Sequence, residues 1–314
     1  MAGACPGRPH PDGLTANPST VELTLPVAGD ETAAMHQPRS TAARVVAGVA
    51  AVFWGWLFFG VQDTLTVFVE GQRFATHYLM ETGWGLLFLV LVAVPLIGLT
   101  VRPRTLVLVA QVATVGVAVV VGALLAGSPA HLFPAAGLLL TAAAVAALGR
   151  VDLRSPRPRI DPPLAVLALI AAVPALVYAW HISKPPGDVE QTVGLDHYPI
   201  QSALGVVLAL LALLVALTRT WSTAWLSAVS VTVTTGWIGI ESVIYPHLHG
   251  SFGTVWGWLA LGWAVTFLVA ALRLTPRRSW TPPSGSGTPR RSRTPPQTPA
   301  AHRSRAARRA LPRR

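Results

Sequence analysis

The sequence predicts an all-α integral membrane protein, a bundle of about eight transmembrane helices. Three observations predict it. The charged fraction is 12%, where soluble domains carry about 25%. The mean hydropathy is +0.52. Eight uninterrupted apolar runs recur along the chain, at 45–61, 84–100, 105–126, 130–148, 164–182, 198–218, 223–245 and 254–273. At about 1.5 Å per residue, runs of about 17 to 23 residues match a hydrocarbon core about 30 Å thick. Only helices and closed barrels satisfy the backbone in lipid, and runs this long without alternation are helices.

Residues 1–42 are rich in Pro, Gly, Thr and Ala without apolar periodicity, and read as a disordered cytoplasmic segment. No apolar core precedes Arg44, so they are not a secretory signal. Met35 begins a short basic stretch just before the first helix and is a plausible start codon. The membrane domain runs over 43–274, with its fourth helix Ala-rich and opened by Pro134. Pro95 and Pro174 fall inside the second and fifth helices and predict kinks, whereas Pro199 marks a helix start. Gln111, alone in the third helix as a strongly polar group, predicts an interhelical hydrogen bond. Interruptions by Gly or Pro at matching positions of two halves, as in broken transporter helices, are not legible.

Residues 275–314 form a disordered Arg/Pro-rich tail, expected to be cytoplasmic, with eleven arginines and no acid. Eleven is also the net charge of the chain, so the high isoelectric point describes this tail and not a nucleic-acid-binding fold. Arg277, Arg278, Arg290 and Arg291 follow the last helix closely enough to contact anionic lipid headgroups. Such contacts contribute about 1 kcal/mol per residue near the surface. Cys5 is the single cysteine, which excludes intrachain disulfides.

Arginines also orient the bundle. One set of loops holds Arg102, Arg104, Arg150, Arg154, Arg157, Arg159 and Arg219; the opposite set holds only Arg73 and Lys184. The positive-inside rule then places both termini in the cytoplasm. Abundant Ala, Val and Arg with one lysine suit a GC-rich bacterial genome, hence a multi-pass protein of the plasma membrane.

His77-Tyr78 opens the second helix and His197-Tyr198 the sixth, 120 residues later. The same shift lays the first, third and fourth helices near the fifth, seventh and eighth, which suggests a 4+4 parallel repeat. Six of nine histidines and most acids gather at one face, opposite the arginines. There His77, Glu81, His197, Gln201 and Glu241 are the residues of an expected polar pocket. His77 and Glu81 share a helix face by their i, i+4 spacing, Gln201 matches Glu81 across the repeat, and Glu241 is a carboxylate inside a helix. His247 and His249, with His197 and Asp196, have the donor types of a metal or haem site.

These residues leave three function classes. The first is transport of a small solute or ion through the His/Glu pocket. The second is a membrane enzyme or redox protein with a metal or haem at that face. The third is a non-catalytic subunit or assembly factor. The sequence names no cofactor and no protein partner beyond the lipid bilayer.

Overall fold

The structure, a computed structural model, describes residues 37–69, 78–152, 158–184, 194–218 and 223–273. All belong to one compact unit, Met1–Thr275; Pro276–Arg314 lies outside the described residues. Every regular element among the described residues is helical. Eight helices are long and apolar enough to cross a membrane, which makes this a multi-pass membrane protein. They are Ser40–Leu57, Tyr78–Val101, Leu106–Ala126, Pro129–Gly149, Pro162–Ile182, His197–Thr218, Ala224–Ile244 and Gly253–Arg273.

Most boundaries fall within a few residues of the apolar runs; the first two crossings depart further. The second begins at Tyr78, not at 84, because Tyr78-Leu79-Met80-Glu81-Thr82 is buried against neighbouring helices. Its polarity leaves it outside the apolar run, although His77-Tyr78 marks the helix start in the sequence. The first crossing ends in a π turn, Phe53–Leu57, and the chain then breaks at Phe58-Phe59, where Phe59 adopts φ 66°. Positive φ is costly for an aromatic residue, and ring packing accompanies it here. The Phe58 ring lies 5.7 Å from Trp84 and 4.8 Å from Phe88. A short helix, Gly60–Val69, continues beyond the break along the second crossing.

The helices form two shells. The second, third, sixth and seventh crossings bury 56–78% of their residues, whereas the first, fourth, fifth and eighth bury 22–28%. The order outer, inner, inner, outer is the same in both halves. Neighbour relations repeat as well. The first crossing packs on the second and fourth, the fifth on the sixth and eighth, the third on the fourth, and the seventh on the eighth. Between halves, the third meets the sixth and the seventh meets the second. The contacts therefore have the two-fold relation expected of a parallel repeat. Gly85 and Gly205, Gly116 and Gly236, and Gly137 and Gly257 keep the same 120-residue offset without a gap.

Lipid tails are as apolar as leucine, so helices here associate through close packing and hydrogen bonds rather than water exclusion. Gly239 and Gly257 illustrate the first, since a Cβ on Gly257 would stand 2.9 Å from the Gly239 carbonyl oxygen. Trp54 and Trp263 illustrate the second: their indole N–H groups donate to Thr141 Oγ1 at 3.4 Å and the Leu167 carbonyl at 2.8 Å. They tie the first crossing to the fourth and the fifth to the eighth.

Pro95 and Gln111 turn out to be one device. Pro95 follows a π turn, Leu89–Ala93, inside the second crossing. Lacking an N–H, it cannot bond the Leu91 carbonyl four residues earlier. Gln111 of the third crossing does so instead, through Nε2 at 3.1 Å.

Gly257→Val is expected to force the seventh and eighth crossings apart and cost about 1–3 kcal/mol. Gly262, with open space around its Cα, is the control, and Gly262→Ala should leave stability unchanged or raise it. Thermal unfolding of both variants in detergent checks the pair.

Candidate functional site

The polar residues at the histidine-bearing face converge on one short segment, Leu79–Trp84, at the start of the second crossing. Four helices reach it from different sides. From the sixth, Gln201 Nε2 donates to the carbonyls of Leu79 at 2.6 Å and Met80 at 3.2 Å. The approach needs Gly83, because a Cβ there would coincide with the Gln201 amide. Tyr178, from the fifth crossing, completes this arm by donating its hydroxyl to Gln201 Oε1 at 3.3 Å and the Gly250 carbonyl at 3.0 Å.

From the seventh crossing comes Glu241, only 5% exposed. Its Oε1 accepts from Trp237 Nε1 at 3.0 Å, one helical turn earlier, and the Thr82 hydroxyl faces the same carboxyl group. The short helix after the break brings Asp63 beside Glu81. On the remaining side, Trp84 lies against the rings of His131 and His197 at 6.3 and 5.3 Å. Trp84 also donates its indole N–H to the Phe58 carbonyl at 3.3 Å, which steadies the break in the chain.

Glu81, His197, Gln201 and Glu241 are thus gathered around a single segment, although Gln201 and Glu241 engage different sides of it. His77 lies outside the described residues, and so does the side chain of Asp196. His247 and His249 are exposed in the loop after the seventh crossing. Among the described residues, no group of three or more His, Cys, Asp or Glu side chains is placed to hold a metal ion. Arg277, Arg278, Arg290 and Arg291 are outside the described residues as well. Sequence reasoning did not foresee Tyr178, Thr82 or the pairing of Asp63 with Glu81. Their only signal was the i, i+3 spacing of Glu81 and Trp84, which makes one helix a meeting point for several partners.

Below Glu241 the seventh crossing carries a polar stripe. Ser227, Ser230, Thr234 and Glu241 recur at helical spacing and share one face. The three hydroxyl residues are 0%, 1% and 0% exposed, and none has a hydrogen-bond partner among the described residues. Buried polar groups in hydrocarbon are costly without partners. The repeat supplies the comparison: positions 107, 110, 114 and 121 of the third crossing are Val, Ala, Thr and Val. Packing alone is satisfied there with one hydroxyl and no acid.

Asp63 lies beyond the first crossing. Burial, helped by the Glu81 charge, pushes its carboxyl from 3.8 up to about 7. A carboxyl with a raised folded-state pKa binds its proton more tightly folded than unfolded. Its contribution is therefore fully present at low pH and is lost as pH rises toward about 7. Between about pH 4 and 8 the melting temperature of the wild type should fall, and Asp63→Asn should flatten that slope. Melting curves across the range, in one detergent and at constant ionic strength, check this.

No protein-family model matches the chain, and neither a curated protein nor a solved structure is significantly similar to it.

Proposed function

We propose that the protein is a carrier for a small cation, with Glu241 as the group that binds it. The observation that carries this reading is the position of Glu241. It sits where the seventh crossing of one half meets the second crossing of the other. In parallel-repeat transporters the binding site lies at the interface between repeats, near which the halves move relative to each other.

The related seam on the other side argues the same way. There the third crossing meets the sixth, and Gly122 brings the backbone into direct contact with Pro199 and Ala203. That seam is closed by backbone packing. Its counterpart instead holds a carboxylic acid, an indole and a hydroxyl, an arrangement that packing does not require. A buried intramembrane carboxylate costs several kcal/mol without compensation, which a bound cation or proton provides. The hydroxyls of Thr234, Ser230 and Ser227 continue from it toward the arginine-bearing face and offer oxygen ligands along the way.

Proteoliposomes holding the full chain and challenged with proton, sodium or potassium gradients test the reading. One of these gradients is expected to drive a flux that Glu241→Gln lowers at least about tenfold, while Glu241→Asp retains part of it. A wild-type protein that moves none of the three, or a folded Glu241→Gln variant with undiminished flux, overturns it.

A further inference from the structure

The enclosure of the Glu241 carboxyl bears on which cation it takes. Its Oε2 is sealed from solvent and has no hydrogen-bond partner among the described residues. An alkali ion enters such surroundings where several oxygens replace its hydration shell. Around this carboxyl stand the Thr82 hydroxyl and the Trp237 indole. The indole N–H, 3.0 Å from Oε1, turns its positive hydrogen toward the carboxyl. A metal ion shared by both carboxyl oxygens would lie against that hydrogen. A proton needs no such space and no further ligands. On Oε2 it removes the charge and leaves Oε1 as the carbonyl oxygen that accepts from Trp237.

The related seam shows what packing alone requires at these positions. Val117 and Val121 stand there for Trp237 and Glu241, so the acid and its donor are present together or absent together. Ser202 stands for Thr82 and donates its hydroxyl to the Ala179 carbonyl at 2.9 Å. The position matching Ala179 is Phe59, at the break of the first crossing. Thr82 serves no carbonyl. Its hydroxyl, on a residue with 0% exposure, has no hydrogen-bond partner among the described residues and faces Glu241. The break in the first crossing thus frees a hydroxyl that the other half uses to hold its backbone.

Few other ionisable groups share this region. Glu241 is the single one on the seventh crossing. Of the helices packed against it, the third carries none, and the eighth only Arg273 at its arginine-bearing end. The second brings Tyr78 and Glu81, and the sixth His197 and Tyr198. Glu81 lies beside Asp63, and His197 lies against Trp84.

Resting on the carrier reading above, we infer that the cation is a proton, held on Glu241 Oε2 between Trp237 and Thr82 at the seam of the two halves. Sodium and potassium are not substrates of this site.

Infrared difference spectra of the full chain in proteoliposomes, wild type minus Glu241→Gln, test the inference. At about pH 6 exposed carboxyls are ionised, so a carboxylic-acid carbonyl band lost in Glu241→Gln reports the bound proton. That band is expected, and excess sodium or potassium should leave it unchanged. Trp237→Phe removes the N–H donated to Oε1 and should move the band to higher wavenumber, as a carbonyl does on losing a hydrogen bond. If Glu241→Gln does not fold, that shift identifies the band. Its absence from the wild type, or its loss on adding sodium or potassium, overturns the inference. An unshifted band in folded Trp237→Phe overturns the placing of the proton on Oε2. Flux separates this inference from the reading beneath it. Proton flux without sodium or potassium flux is expected. Sodium or potassium flux that depends on Glu241 overturns the proton and leaves the carrier. The infrared band in a protein that moves none of the three overturns the carrier and leaves the proton site.

Discussion

Backbone carbonyls inside a bilayer have no water to turn to, and this constraint organises the molecule. At several backbone carbonyls inside the bundle, a side chain from another helix supplies a donor. Gln111 serves Leu91 behind Pro95, Gln201 serves Leu79 and Met80, Trp84 serves Phe58, and Tyr178 serves Gly250. Ser202 donates to Ala179, and Trp263 to Leu167. These interior polar side chains are thereby committed to holding the backbone together. That commitment is what sets Ser227, Ser230, Thr234 and Thr235 apart, since they are buried as deeply and satisfy no carbonyl among the described residues.

The eight crossings were legible because length and hydropathy are summed over about twenty residues, so single exceptions do not hide them. The first turns of the second crossing fall outside its apolar run for a local reason. Glu81 and Thr82 lower the hydropathy of a segment whose partners, Gln201 and Glu241, lie far away in the chain. Pro95 and Gln111 were each noticeable alone, as a kink and as an interhelical bond. Their relation depends on a π turn that no periodicity announces. The break at Phe58-Phe59 carries no Gly or Pro in its first positions, and aromatic packing from the second crossing accompanies it. Glu241 was readable because an acid in an apolar run stands out. The hub at Leu79–Trp84 needed three dimensions.

In the sequence, the suggestion of a repeat rests on two His-Tyr pairs and a common spacing of 120 residues. Side chains drift freely on lipid-facing surfaces, while glycines at close helix contacts drift less, since a Cβ at Gly85, Gly205 or Gly257 would meet neighbouring backbone. The shared glycines and the shared order of inner and outer helices therefore preserve the relation better than overall similarity. The same comparison gives each half a reference for the other. Where both agree, packing is a sufficient explanation, as at Gly85 and Gly205. The informative positions are those where they differ, Glu241 against Val121 and Trp237 against Val117.

The even number of helices in each half has an evolutionary consequence. A four-helix unit begins and ends on the same side of the membrane, so a second copy joined in tandem enters in the same sense as the first. A unit with an odd number would deliver its copy upside down, and the pair could be related only by an axis lying in the membrane plane. Two four-helix copies joined in this way would be related by an axis along the membrane normal, the symmetry of a side-by-side homodimer. A connection between the fourth and fifth crossings would, in such a history, join two units that a dimer already held together. Copies joined in this way would be released from being identical, so that one seam could close on glycine while the other acquired an acid.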